Sequence, residues 1–225
     1  MAADRKEYAQ LRVDRNHVVW GRERRSAVAI HADGINLFVC PREADAGLAS
    51  AVDELNARHQ FDLDETVPAA DETAVAARLR SLLPAVRAGR AIADDVAGLA
   101  AWFAQLVRDV PLRVRLETIE TDSCRLFHVD AARLRLLVTY SGFGTQWVYN
   151  DNARRDRMGL HGRSMAEANA DIVPRPQEIQ ALRPWWIAIQ KGEAYPRNFG
   201  NGIVHRSPPL EAGGGRRLRL CIDLA

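Results

Sequence analysis

The stretch "LRVRLETIE", residues 112–120, marks the point at which the hydrophobic pattern of the chain changes its period. Leu112, Val114 and Leu116 alternate with charged or polar residues, as expected for a half-buried β-strand. Upstream of Pro111, apolar residues instead recur every three or four positions, which is typical of helices. The sequence therefore predicts a helical first half and a strand-rich second half.

The helical pattern covers much of the chain before residue 110. It runs through "ADAGLASAVDELNARH" (44–59), "DETAVAARLRSLLPAVRAGR" (71–90) and "DDVAGLAAWFAQLVRDV" (94–110). The last two segments open on acidic residues, which favour helix N-termini. One short strand is predicted at "INLFVC" (35–40), which ends at Pro41, and residues 1–35 show no clear period.

Short alternating segments fill the second half. These are "LFHVD" (126–130), "RLRLLVTY" (133–140), "WWIAIQKG" (185–192), "GIVHRS" (202–207) and "RRLRLCIDL" (216–224), separated by turns rich in Gly, Pro and Asn. Such strands with almost no helix between them are typical of jelly-roll and cupin-like barrels. Residues 150–175 are predicted to form a long loop over the barrel mouth.

These patterns combine into one α+β domain over residues 1–225. Its expected core is a double-stranded β-helix, a jelly-roll or cupin-like fold, formed by residues 111–225. Residues 1–110 are expected to form a mainly helical elaboration that buttresses this core. A hydrophobic content of 47% over 225 residues is enough for one sizeable core.

Composition excludes several classes of function. A net charge of +2 gives no basic bias, which argues against nucleic acid as a partner. No apolar run is long enough to cross a membrane, and the polar start does not resemble a signal peptide. Three widely separated cysteines fit a reducing compartment. We therefore expect a cytoplasmic protein without membrane contact, and the sequence leaves its oligomeric state open.

A candidate metal site begins at His128 and Asp130. Residues two apart on a strand face the same way, so both side chains can point into a barrel. A site of two histidines and one carboxylate binds Fe(II) and keeps open positions, and His205 can supply the second histidine from a later strand. The other His-x-Asp pair, His31 and Asp33, precedes its strand and lacks comparable surroundings.

The final strand carries two different faces. Arg217, Arg219, Cys221 and Asp223 lie on one face and the leucines on the other. If the leucine face packs on helices, the arginine face lines the barrel. A buried guanidinium needs an anion, and a carboxylate is its best geometric match.

The order His-x-Asp, distal His and then Arg on the last strand resembles the Fe(II)- and 2-oxoglutarate-dependent dioxygenases. More closely, "FHVD…RLLVTYSGFGTQW" with "GNGIVHRSPP…GRRLRLCID" resembles an uncharacterised bacterial family, domain of unknown function 1826, over roughly residues 110–225. The dioxygenase resemblance implies an oxygenase that hydroxylates an unidentified substrate. It also implies that His128, Asp130 and His205 are the catalytic metal ligands.

The same resemblance implies how 2-oxoglutarate is held. Arg219 is the expected partner of its distal carboxylate, because small Cys221 follows two residues later, where the superfamily often has serine. Arg217 is the second candidate, and Tyr140 matches a tyrosine that often helps to hold the co-substrate. The glycine run at 213–215 departs from the pattern and leaves the register of the last strand open.

An alternative function comes from Cys124, four residues before His128. Cys124, His128, Asp130 and His205 could form a closed tetrahedral zinc site in a cupin-like protein without catalytic activity. The substrate of the oxygenase alternative is open between a small molecule and a protein side chain.

Overall fold

The computed structural model describes residues 11–68, 72–108, 110–121, 124–209 and 215–225. Asp71, Asp109, Gly213 and Gly214, which belong to predicted segments, lie outside the described residues. The strands are β1 (Arg12–Asp14), β2 (Val18–Trp20), β3 (Leu37–Cys40), β4 (Asp62–Val67), β5 (Leu112–Ile119), β6 (Leu134–Ser141), β7 (Gln146–Trp147), β8 (Gln180–Ala181), β9 (Ile187–Lys191), β10 (His205–Arg206) and β11 (Arg217–Leu224). The α-helices are α1 (Ala46–Arg58), α2 (Glu72–Leu82), α3 (Arg87–Leu106) and α4 (Met165–Ile172), with short 3-10 helices at Arg24–His31, Asn150–Asn152, Arg155–Arg157 and Pro176–Glu178.

The fold is mixed α and β, with one large and one small sheet. The large sheet has eight strands in the order β1-β2-β3-β9-β6-β11-β5-β4, and it is antiparallel except for the β2–β3 pair. The small sheet has the order β10-β7-β8. An isolated antiparallel bridge between His128 and His205 adds a fourth segment to its β10 edge.

Two apolar layers lie on opposite faces of the large sheet. Leu218, Leu220 and Ile222 of β11 belong to the same buried cluster as Ile92 and other residues on the apolar stripe of α3. Cys221, from the opposite face of β11, joins a second cluster that includes Trp147 of the small sheet. The predicted division of β11 into a helix-facing leucine face and an inner face is therefore confirmed.

A β-bulge interrupts the pairing of β6 with β11. Leu218 pairs with Ser141, and Arg219 pairs with Thr139, so Tyr140 is the extra residue. Gly142, which follows β6, has a φ of +79°, and a Cβ built there would lie 3.0 Å from Cγ of Arg217. Glycine is required here because a side chain would clash with β11 and would strain the backbone.

The structure corrects the predicted distribution of elements. Four strands of the large sheet, β1 to β4, lie in the described part of residues 1–110, where the sequence predicts one strand. β4 is hard to recognise because it is an edge strand rich in Asp and Glu, residues that are depleted in strands. The segment "LFHVD" forms only the single bridge at His128.

The predicted loop at 150–175 also contains a helix. Ser164 and Glu167 form a capping box at the start of α4, a signal that is visible in the sequence as Ser-x-x-Glu. Among the described residues, no helix combines the length and the apolarity needed to cross a membrane.

Candidate metal centre

Three predicted ligands meet between the two sheets. His128, Asp130 and His205 each offer a ligand atom, and these atoms all lie within 4.8 Å of one another. His128 Nε2 is 3.8 Å from Asp130 Oδ1, and His205 Nε2 is 3.4 Å from Asp130 Oδ2. The bridge between the backbones of His128 and His205 fixes the two histidines side by side, although they lie far apart in the sequence.

Both histidines present Nε2 as the free ring nitrogen. His128 Nδ1 lies 2.8 Å from the carbonyl of Leu126, and His205 Nδ1 lies 3.0 Å from that of Ile203. A carbonyl oxygen only accepts hydrogen bonds, so each Nδ1 carries the proton and donates it. The lone pair of each neutral ring is then on Nε2. A backbone partner for the second ring nitrogen is the usual support of a metal-binding histidine.

The local charges keep the site ready for a cation. Burial lowers the pKa of His128, and the neighbouring His205 lowers it further, which favours the neutral ring. Burial alone would raise the pKa of Asp130, but His205, Arg135 and His128 together hold it well below its ordinary value. A neutral imidazole and an ionised carboxylate are the forms that bind metal ions.

The sequence analysis missed the residues that hold Asp130. Arg135 Nη1 donates to Asp130 Oδ2 at 2.5 Å, and Gln190 Nε2 donates to the same oxygen at 2.6 Å. Arg135 also binds both carboxylate oxygens of Asp223, at 2.6 and 3.0 Å. The available sequence signal for Gln190 is its position as a polar residue in the otherwise apolar segment "WWIAIQ", which does not show what it contacts.

The structure separates the two arginines of the last strand. Arg219 is half-buried and donates to Glu117, its direct partner on β5, at 2.8 Å. Arg217 is only 1% exposed and pairs with Ile119, which offers no anion. Its three guanidinium nitrogens have no hydrogen-bond partner among the described residues. Burial lowers the pKa of Arg217 to about 10, and Arg219 adds to this effect, so Arg217 is still charged at neutral pH.

Tyr140 does not join these residues. It lies in the cluster on the helix face of the large sheet, and its hydroxyl donates to Asp95 of α3 at 2.7 Å. Arg42 binds the same carboxylate, and the ring of Tyr140 packs edge-on against Trp185. Tyr140 continues the alternate positions of β6 whose side chains face the helices, and the β-bulge adds Ser141 to the same face, where it contacts Asn56 of α1.

Cys124 is also absent from the cluster of ligand atoms. It is exposed, has a φ of +58°, and its carbonyl accepts a hydrogen bond from the amide of Ser207. Among the described His, Cys, Asp and Glu side chains, the group with the geometry to hold a metal ion consists of His128, Asp130 and His205. The predicted four-ligand site with Cys124 is therefore not formed.

A buried polar network supports the segment that leads to His205. His17 Nδ1 donates to Asn36 Oδ1 at 2.8 Å, and His17 Nε2 accepts from the amide of Asn150 at 3.0 Å. Asn36 and Asn150 each donate through their side-chain amides to Asn201, both at 2.7 Å. The network joins the first strands to the loop before β10.

His17 should make stability dependent on pH. Burial lowers its pKa below the ordinary 6.5, and protonation would turn Nε2 into a donor facing the amide of Asn150. As the pH falls, His17 therefore binds its proton at a higher pH in the unfolded chain than in the folded protein. The contribution of neutral His17 to the free energy of unfolding is present above pH 6.5. It is lost as the pH falls toward the pKa of His17 in the folded protein, and the free energy of unfolding then changes by at most about 1.4 kcal/mol per pH unit. Urea unfolding at pH 7.5 and 5.5 should show a smaller pH difference for His17→Gln than for the unchanged protein, and equal differences would contradict the assignment.

Comparison with known proteins identifies the family. The model of the family described as "Protein of unknown function (DUF1826)" matches residues 21–223. The chain belongs to the DUF1826 family. A search of the curated proteins finds no match to this DUF1826 chain.

Solved structures similar to the DUF1826 chain include dioxygenases. Dioxygenase for auxin oxidation 1 from Arabidopsis thaliana, in complex with 2-oxoglutarate, has a TM-score of 0.47 and 13% identity, with 92% of this chain and 91% of that chain covered. Dioxygenase for auxin oxidation of rice has a TM-score of 0.49 and 14% identity, with coverages of 88% and 77%. A full-length Neurospora crassa protein in complex with alpha-KG has a TM-score of 0.41 and 13% identity, with coverages of 94% and 86%. At these identities and TM-scores, the likenesses assign no substrate and no residue roles.

Proposed function

We propose that this DUF1826 protein is a non-haem oxygenase that uses Fe(II) and 2-oxoglutarate to hydroxylate a substrate. One combination of features carries the proposal. Two histidines that direct Nε2 toward one carboxylate converge, and the inner face of the large sheet buries the guanidinium of Arg217, which has no partner among the described residues. The substrate is proposed to be a small molecule or a protein side chain.

The two facing sheets are proposed to form a double-stranded β-helix. Residues from both sheets meet in one buried cluster, which contains Leu137 and Ala188 of the large sheet and Trp147 of the small sheet. His205 pairs directly with Trp147, so the ligand histidine belongs to the wall of this enclosed space. Closure of two sheets around a site is the arrangement expected for a jelly roll.

The chemistry of the ligand set fits Fe(II). His128 and His205 would bind it through Nε2, and Asp130 would bind it through its carboxylate. When bound, the iron and the 2-oxo acid would supply the chemistry that activates dioxygen, which is the oxidant of the reaction. The protein has simpler tasks: backbone carbonyls orient the two histidines through Nδ1, and Arg217 would bring a cation close to the co-substrate.

Arg217 is the proposed partner of the distal carboxylate of 2-oxoglutarate. A buried charged group without a partner costs several kcal/mol unless a ligand supplies the opposite charge. Arg217 meets this description, whereas Arg219 already has Glu117. We therefore assign this role to Arg217, the second candidate from the sequence, and not to Arg219, the first. We do not assign Tyr140 to the co-substrate, because its hydroxyl is bound to Asp95.

Anaerobic titration tests this function. Addition of 2-oxoglutarate to the Fe(II)-loaded protein should produce the weak visible charge-transfer band of a 2-oxo acid chelated to ferrous iron. Glutarate, which has both carboxylates but lacks the 2-oxo group, is the matched control and should give no band. If neither compound changes the spectrum of the protein with bound iron, the proposed function is wrong.

A further inference from the structure

The two oxygens of Asp130 have different environments. Oδ2 accepts from Arg135 Nη1 at 2.5 Å and from Gln190 Nε2 at 2.6 Å. A carboxylate oxygen offers about two lone-pair positions, so these two donors use the capacity of Oδ2. Oδ1 accepts no hydrogen bond from the described residues and lies 3.8 Å from His128 Nε2, whereas His205 Nε2 lies 3.4 Å from Oδ2.

The donors on Oδ2 are fixed by the pairing of three neighbouring strands. Arg135 of β6 pairs directly with Gln190 of β9 on one side and with Asp223 of β11 on the other. These three side chains therefore form one row across the inner face of the large sheet. Asp223 binds Nε and Nη2 of Arg135, which leaves Nη1 directed at Asp130.

The row is buried, and its positive and negative side chains are paired with one another. Gln190 is only 3% exposed, and the side chains of Arg135, Asp130 and Asp223 are each about one-fifth exposed or less. Arg115 of β5 adds a second cation to Asp223 at 2.7 Å. Because each carboxylate has a fixed partner, rotation of Asp130 would break two short hydrogen bonds at once.

We propose that Arg135 and Gln190 are positioning residues that reserve Asp130 Oδ1 for the metal ion. They hold the carboxylate in one orientation and occupy its other oxygen, so that Asp130 contributes a single ligand atom. This inference rests on the proposed function, since it assumes a divalent metal ion at the three ligands. Its consequence is that positions around the ion stay free for other molecules.

Binding of Co(II) alone tests the inference without any oxygenase reaction. We expect Arg135→Met and Gln190→Leu each to weaken Co(II) binding by about 10- to 100-fold, the usual cost of removing a group that supports a ligand. Both variants should also change the visible d–d spectrum of bound Co(II), because Oδ2 loses one of its two donors and regains a lone pair that can coordinate. Circular dichroism identifies any variant that fails to fold, and two independent variants keep the test decisive.

Arg115→Met is the matched control. It removes an arginine from the same Asp223 carboxylate but leaves both donors on Asp130 in place, so affinity and spectrum should match those of the unchanged protein. The inference is overturned if neither test variant differs from the unchanged protein, or if Arg115→Met changes the spectrum as much as Arg135→Met does. If the unchanged protein itself binds no Co(II), the proposed function fails and the inference fails with it.

Discussion

Replacement of Arg217 by methionine is expected to weaken the binding of 2-oxoglutarate by about 30-fold to several thousand-fold. The estimate corresponds to the roughly 2 to 5 kcal/mol that the loss of one partner of a desolvated charge pair costs. Calorimetric titration of the Co(II)-loaded protein with 2-oxoglutarate measures the change directly. Co(II) binding should be unaffected, because the guanidinium is not one of the clustered ligand groups.

Arg219→Met provides the control for this prediction. Arg219 lies on the same face of β11, but its charge is already matched by Glu117, so the loss in affinity for 2-oxoglutarate should be much smaller. Thermal unfolding adds a second criterion. In the absence of ligand, Arg217→Met should not lower the melting temperature, since the guanidinium has no described partner to lose. A larger effect at Arg219 than at Arg217 would refute the assignment.

Replacement of His205 by alanine is expected to abolish stoichiometric metal binding. The change removes one of three ligands, so the loss should exceed the about 10- to 100-fold that removal of a supporting group costs. The side chain of His205 is almost fully buried and its Nδ1 is bound to the carbonyl of Ile203, so the ring is held in place as a ligand. Equilibrium dialysis with Co(II) gives the affinity.

His31→Ala is the control for the metal site. His31 belongs to the other His-x-Asp pair, but its ring nitrogens contact the hydroxyl of Tyr195 and the carbonyl of Leu106. We expect unchanged Co(II) binding in this variant. Retention of one metal ion per chain by His205→Ala would show that the metal binds elsewhere.

Periodicity alone predicted much of the second half of the chain. β5, β9, β10 and β11 lie within segments that alternation and turn residues predict as strands, and β6 extends one residue beyond its predicted segment, to Ser141. The helices α1 and α2 likewise lie within segments of helical apolar spacing, whereas α3 begins at Arg87, before the predicted start at Asp94. The three candidate ligands could be chosen because His-x-Asp places two side chains on one face and a later strand supplies the third.

The features that could not be predicted from the sequence depend on which residues of neighbouring strands lie side by side. Alternation puts Arg217 and Arg219 on the same face, and only the register with β5 shows that one meets Glu117 and the other Ile119. Tyr140 was expected beside the co-substrate but lies on the helix face of β6, and the sequence of β6, which is apolar on both faces, does not show which face packs on the helices. The importance of Gln190 likewise appears only when β9 is placed beside β6.

The position of β11 has a consequence for how the chain acquires its structure. β11 lies between β5 and β6, which are separated from it by most of the second half of the chain. Until β11 is inserted, β5 and β6 each keep an open edge at the centre of the large sheet, and the nascent chain lacks both Arg217 and Asp223. Pairings this distant in sequence fold slowly and leave strand edges available for aggregation. Assembly of the metal centre should therefore be a late step in folding, coupled to closure of the sheet.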